Sequence, residues 1–328
     1  MMKRRKLLIA LGVSALASPL ASFAQQQPVK VYRIGWLSPA SSLGGAQGLD
    51  SLREGLRGLG YVEGRNLAIE ARWADGNSAA LPALARSLVE LKVDVICADA
   101  TQASLAAKQA TTTIPIVFSR GAFPDQTGLV ASLARPGGNI TGVAFIGPEY
   151  GKRLELLHEV SPRVARVALL YNDDNPGSIL VLKETQRWAK QLGIALEPRG
   201  VHNRETFNKA VEEMAKNRPG GLMTMADPIV ISYRKEIVEF AAKHRLVSIY
   251  PSREFVEVGG LMFYGTNTAD MYRQAAVFIH RILQGARPAD LPVEQPIKFD
   301  MTINLKTAKA LGIKIPRSVL IRADQVIE

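Results

Sequence analysis

Among 328 residues the chain has a single cysteine, Cys97. That excludes an intramolecular disulfide, so stability must come from a hydrophobic core. Histidine is scarce as well. His158, His202, His244 and His280 are scattered, with no second histidine or acid at a zinc-ligand spacing, and no metal site is expected. Nucleophile and phosphate motifs are missing. There is no G-x-S-x-G, and Cys97 ends an apolar run, where it reads as a small buried hydrophobe. Gly151-Lys152 fails as a phosphate loop, because Ile146 stands five positions before Gly151 and Arg153 follows where Ser or Thr is needed. Gly137-Gly138 with Gly142 precedes a strand instead of following one, so it is not a dinucleotide turn, and no cofactor is expected. After residue 24 no stretch approaches the roughly 20 apolar residues of a spanning helix. Basic runs are lacking too. Of the net charge of +11, the first 24 residues supply four positive charges and no negative ones, which leaves 37 basic against 30 acidic residues, or +7. These charges stand singly along predicted helices, the pattern of a solvated surface and not of a nucleic-acid interface.

What is present begins with a leader. Lys3-Arg4-Arg5-Lys6, an apolar run over 7–17 and Ser22-Phe23-Ala24 have the layout of a signal peptide over 1–24. The run is too short to span a bilayer, and no cysteine follows it to carry a lipid. Arg4-Arg5 leaves general secretion and the twin-arginine route both open. The mature chain is expected to be exported.

From Tyr32 onward short apolar runs alternate with amphipathic helical patterns, which predicts parallel sheets covered on both faces. Strands are expected over 32–37, 66–73, 93–97, 114–118 and 140–145, with helices over 46–59, 78–91 and from about 101. The segment 119–142 reads as turns around a short helix over 129–133. At Arg166 the programme restarts, with strands over 167–171, 194–199, 222–225, 246–250 and 261–264. Helices are expected over 177–192, 204–217 and 228–244. The repetition predicts an α/β fold of two similar doubly wound parallel-sheet lobes joined by a multi-strand hinge. Residues 30–145 plus 265–290 are expected to form lobe 1, and 146–264 plus 291–328 lobe 2. The helix over 271–283 is expected to return to lobe 1.

Ligands bind open α/β sheets at the carboxyl ends of the strands, so polar and aromatic residues at those ends are the candidates. On lobe 1 they are Ser38, Thr101, Gln102 and Ser119, with Thr101 and Gln102 opening a helix whose N–H groups accept a carboxylate. On lobe 2 they are Asn172, Asp227 and Tyr250. An amino-acid zwitterion fits this division, its carboxylate on lobe 1 and its ammonium on Asp227. Asp227 equally suits a helix N-cap before Pro228, and Asp99 shares that ambiguity. Tyr150 and Tyr264, with Trp36 and Phe145, are candidates for the cleft wall or for plain core.

Several segments carry a family resemblance. The runs 113–118, 128–142 (Gly128-Leu129-Val130-Ala131-Ser132-Leu133-Ala134-Arg135-Pro136-Gly137-Gly138-Asn139-Ile140-Thr141-Gly142), 253–262 and 303–312 resemble those of ABC-transporter substrate-binding proteins with a type I periplasmic-binding fold, in the group that includes tryptophan and tyrosine binders. The resemblance covers nearly the whole mature chain. It implies the periplasmic substrate-binding component of an ABC importer, a monomer that captures a small organic solute by hinge closure and meets an inner-membrane ABC permease. An amino acid is the expected ligand, an aromatic one first. Where the family often has Asp-Pro after its fourth strand, this chain has Phe123-Pro124. Two other classes are kept beside this reading: a doubly wound α/β enzyme using Asp99 or Asp227 as a base, and a ligand-sensing module for a regulatory partner.

Overall fold

The computed structural model describes residues 30–145 and 148–328; the predicted signal peptide lies outside the described residues. In chain order the elements are β1 (Tyr32–Ser38), α1 (Ser42–Gly58), β2 (Leu67–Trp73), α2 (Leu81–Glu90), β3 (Val95–Ala98), α3 (Ala100–Ala110), β4 (Ile116–Ala122) and β5 (Ile140–Phe145). There follow α4 (Pro148–Val160), β6 (Arg166–Tyr171), α5 (Pro176–Gln191), β7 (Ala195–Gly200), α6 (Arg204–Asn217), β8 (Gly221–Thr224), α7 (Pro228–Ser232), α8 (Arg234–Lys243) and β9 (Val247–Tyr250). The chain ends with α9 (Arg253–Glu257), β10 (Met262–Gly265), α10 (Thr268–Leu283), β11 (Asp300–Asn304), α11 (Leu305–Leu311), α12 (Arg317–Leu320) and β12 (Gln325–Ile327).

Two sheets result. The first is parallel throughout, in the order β2-β1-β3-β4-β5. The second is β12-β11-β10-β9-β8-β6-β7, parallel except where β10 meets β11. Its portion β7-β6-β8-β9-β10 repeats the strand order of the first sheet, so the restart at Arg166 is a repetition of topology. Strands β3, β4, β6 and β8 are apolar along most of their length because helices cover both faces.

The chain passes between the sheets after Phe145, after Gly265, and between Glu294 and Asp300. Helix α10 packs on α1 beside the first sheet. Gly55 permits the approach, since a Cβ there would stand 2.8 Å from the Ala276 methyl. Arg273 pairs with Glu54 at 3.0 Å across the same contact. Residues 291–294 then lie along β5, with Glu294 N donating to the Gly142 carbonyl at 3.1 Å.

Two expected helices differ. No helix forms over 129–133: Gly128 has φ +76°, and the N–H groups of Leu129 and Val130 both turn back to the Pro124 carbonyl, which buries the two side chains from a loop. The helix expected over 228–244 breaks at Tyr233, whose ring stacks on Phe207 with centroids 4.4 Å apart. The run Ile229-Val230-Ile231 is weakly helix-forming, and this packing outweighs continuity.

Candidate functional site

Each sheet changes winding direction beside its central strand, between β1 and β3 and between β6 and β8. Ligands of open α/β sheets bind at such switch points. Strand β1 ends in Ser38 and β3 leads to Asp99; Ser38 Oγ donates to Asp99 Oδ2 at 3.3 Å. Strand β6 leads to Asn172 and β8 to Asp227; Asn172 Nδ2 donates to Asp227 Oδ1 at 3.1 Å. The same pair of positions meets in each lobe.

Asp99 precedes α3 but does not cap it with its side chain. Its carboxylate is taken up by Arg120, whose Nε reaches Oδ1 at 3.0 Å and Nη2 reaches Oδ2 at 3.1 Å. Tyr272 Oη donates to Oδ1 at 3.0 Å and Ser119 Oγ at 3.3 Å. Asp99 and Arg120 are both buried, 1% and 7% exposed. Burial works against the arginine's charge, but the Asp99 carboxylate outweighs it and holds the guanidinium above the usual arginine range. Tyr272 carries the guanidinium over its ring at 5.3 Å, and burial raises its hydroxyl pKa well above that of a free tyrosine. Next to this network Ala100 has φ +67°, a left-handed backbone that costs a non-glycine residue about 1–3 kcal/mol.

Asp227 is the N-cap of α7, accepting from Ile229 N at 2.9 Å. It also accepts from Asn175 Nδ2 at 2.8 Å. Burial raises its pKa, while these donors and the Asn172 amide pull it back down. Asn175 in turn caps α5 through Gly177 N.

Between the lobes lies a narrow cavity of about 20 Å³, room for roughly one water molecule. Its walls are drawn together. Gly177 on α5 lies so near Thr101 that a Cβ would stand 2.5 Å from Thr101 Oγ1 and 2.7 Å from the Ala122 methyl. Gly44 on α1 meets Ser232 after the same fashion, at 2.7 Å. Polar lining comes from Thr101, Arg120, Asn175, Ser178, Thr266 and Thr268; Phe145, Tyr150, Val181, Met225 and Met271 supply apolar walls. A smaller space on the far side of Arg120 is bounded by Gly48, Asp99, Glu254 and Tyr272.

Of the residues picked out from sequence, Thr101, Phe145 and Tyr150 line the cavity. Tyr150 Oη accepts from Ala226 N at 3.0 Å, and its ring meets Phe145 edge-on at 5.8 Å. Ser38, Ser119, Asn172 and Asp227 stand one layer behind: the two serines donate to Asp99, the partner of Arg120, and Asp227 accepts from Asn172 and the cavity residue Asn175. Gln102 Nε2 points to Ser78 at 3.5 Å. Tyr250 is buried and stacked on Phe255 at 4.5 Å, in the core of the second sheet. Tyr264 stacks on Phe299 at 5.9 Å beside the crossing. There the buried Arg153 donates from Nε to the Tyr264 carbonyl at 2.6 Å and lies 4.4 Å over the Tyr150 ring, which ties cavity wall to hinge. Trp36 is core, between Trp73 and Tyr272.

Sequence reasoning missed Arg120, Tyr272 and Arg153. The signal for Arg120 was a lone charge in the otherwise buried strand IVFSRGA; charged residues are almost never fully buried unless paired. Nothing local marks Tyr272, which is 173 positions from Asp99. Among the described residues no three His, Cys, Asp or Glu side chains are placed to hold a metal ion. Cys97 is fully buried, and burial drives its thiol pKa far upward.

Two similarly wound lobes, repeated crossings and a cavity closed between strand ends define a two-lobed solute-binding protein. Residues 41–327 match the family model for "ABC transporter substrate binding protein", and the chain belongs to that family. It is 26% identical over 271 residues to a tyrosine-binding protein of Clostridioides difficile, covering 81% of this chain and 78% of that one. A solved ABC domain from Streptococcus pneumonia in complex with L-Trp aligns at TM-score 0.83 and 27% identity, over 91% of this chain and 100% of that one. A conserved domain protein from Vibrio cholerae aligns at TM-score 0.84 and 28% identity, over 90% and 100%. Among the described residues no helix is long and apolar enough to cross a membrane.

Proposed function

We propose that the mature chain works in the periplasm as a monomer, closing over a small organic solute and presenting it to an inner-membrane ABC permease without making or breaking a bond. The observation that carries this is the cavity itself, lined from both lobes and shut by glycine contacts that exist only while the lobes are together. Lobe 1 is taken as 30–145 plus 265–294, extended past the expected end at 290 because residues 291–294 lie along β5, and lobe 2 as 146–264 plus 295–328, with Tyr264-Gly265 at one crossing. Thr101 and Tyr150 are proposed as ligand contacts together with Arg120. Ser38, Ser119, Asn172 and Asp227 hold the contact residues in position, and Gln102, Tyr250 and Tyr264 are assigned to the framework. The tyrosine and L-Trp of the relatives lend this chain the expectation of a carboxylate on an aromatic-sized body, which the apolar walls suit.

For such a receptor the ligand must bind the closed state better than the open one. Thermal-shift screening against aromatic and aliphatic carboxylates, followed by small-angle scattering, tests the proposal. A hit should raise Tm and reduce the radius of gyration together; stabilisation without compaction would refute hinge closure, and turnover of a hit would favour an enzyme.

A further inference from the structure

We propose that the cleft selects carboxylates that carry no ammonium group: small acids with an apolar, aromatic-sized body, held at the anionic end by Arg120 with Thr101 and Ser178. This rests on the cleft reading above and specifies its ligand.

The cavity is built for an anion. The N-terminal turns of α3, α5 and α10 contribute Thr101, Ser178 and Met271 to its wall, and helix N-termini present unpaired N–H groups and positive dipole ends. Arg120 adds a guanidinium whose charge is balanced by Asp99. Its Nε and Nη2 are engaged by Asp99, but Nη1 has no hydrogen-bond partner among the described residues. The side chain lines both the main cavity and the smaller space behind it. Ser178, 6% exposed, likewise has a hydroxyl without a protein partner on the cavity wall. Thr101 Oγ1 accepts from Ala122 N at 3.0 Å, which leaves its proton for a ligand oxygen.

In the main cavity an ammonium finds no counterpart, and Glu254 borders only the smaller space on the far side of Arg120. Among the described lining residues of the main cavity none is acidic. Asp99 is occupied by Arg120, Tyr272, Ser38 and Ser119. Asp227 is occupied by Asn172, Asn175 and Ile229 N. Asp270, in the first turn of α10, pairs with Arg273 and faces a different groove. A zwitterion would bury its positive end against hydroxyls, methionines and the arginine, an uncompensated cost.

Matched pairs separate the possibilities: 3-phenylpropionate against L-phenylalanine and indole-3-propionate against L-tryptophan, with 3-phenylpropanamide as the uncharged control, all by calorimetry. The acid of each pair should bind about 100-fold tighter than its amino acid, and the amide should lose a similar factor. Arg120→Lys should weaken the acids about 10-fold or more, and Ser178→Ala, which leaves the buried ion pair intact, several-fold. An amino acid that binds as tightly as its acid, or acids indifferent to Ser178→Ala and Arg120→Lys alike, overturns the proposal and leaves the cleft reading standing. No binding by either series overturns both.

Discussion

Replacing Gly177 by alanine places a methyl group where the two lobes touch. The new Cβ would stand 2.5 Å from Thr101 Oγ1 and 2.7 Å from the Ala122 methyl, whereas ordinary contact begins near 3.4 Å. Closing over the cavity then requires α5 and α3 to stay roughly 1 Å further apart. Thr101 has little freedom to yield, because its hydroxyl holds Ala122 N. Overpacking of this kind costs about 1–3 kcal/mol. The clash exists only in the closed form, so it appears as weaker ligand binding, about 5–150-fold. The open form is relieved of a helical glycine and gains about 0.5–1 kcal/mol. Gly177→Ala should therefore raise the Tm of the ligand-free protein slightly while weakening every ligand by a similar factor. Calorimetry and a thermal melt on one sample check both signs. An affinity within twofold of the parent, with compaction on binding unchanged, would refute the closed-contact reasoning.

Asp99→Ala leaves Arg120 buried without its partner and should cost about 3–5 kcal/mol in urea unfolding, with Tyr272→Phe costing about 1.5–3 kcal/mol for a hydrogen bond to a charged group. Gly142→Ala should prevent soluble expression or lower Tm sharply, because Gly142 has φ +152° and an added Cβ would overlap the Phe118 backbone across β4 and β5. Cys97 should stay unmodified by a thiol reagent at pH 8 until denaturant is added, since burial raises its pKa and closes access. His202, bonded to Asp173 at 2.8 Å, should titrate above about 6.5 by NMR, first because of that hydrogen bond. A raised histidine pKa means that the stabilisation is complete below the unfolded value and is lost as pH rises through the folded one; Asp173→Asn should bring the titration back down.

The alternation of strands and helices was legible because buried parallel strands leave compact apolar runs, as VICA in β3 and GLMT in β8. The restart of that alternation at Arg166 predicted the two-lobed plan, and the family resemblance agreed with it. Segment 129–133 misled because Leu129, Val130 and Leu133 have helical spacing, yet Gly128 and the Pro124 carbonyl close a turn instead. In the site, candidates at strand ends could be located because topology brings strand ends together. Their roles could not be assigned, since hydrogen bonds over 21 to 173 positions decide them. Asp99 and Arg120 become partners only because β3 and β4 are neighbours in the sheet. Asp227 suited a ligand acid and a helix N-cap equally; three donors fill its carboxylate, and the one from Ile229 N makes it the cap of α7.

Closure of the lobes on a solute can be measured directly. Because Cys97 is buried, dyes can be attached at Arg86→Cys on α2 and Lys209→Cys on α6, both exposed and on different sheets. Single-molecule energy transfer between them should show a mobile or open population without ligand that collapses to one high-transfer state when a saturating carboxylate from the screen is added. An identical distribution with and without a ligand that calorimetry shows to be bound would contradict the account.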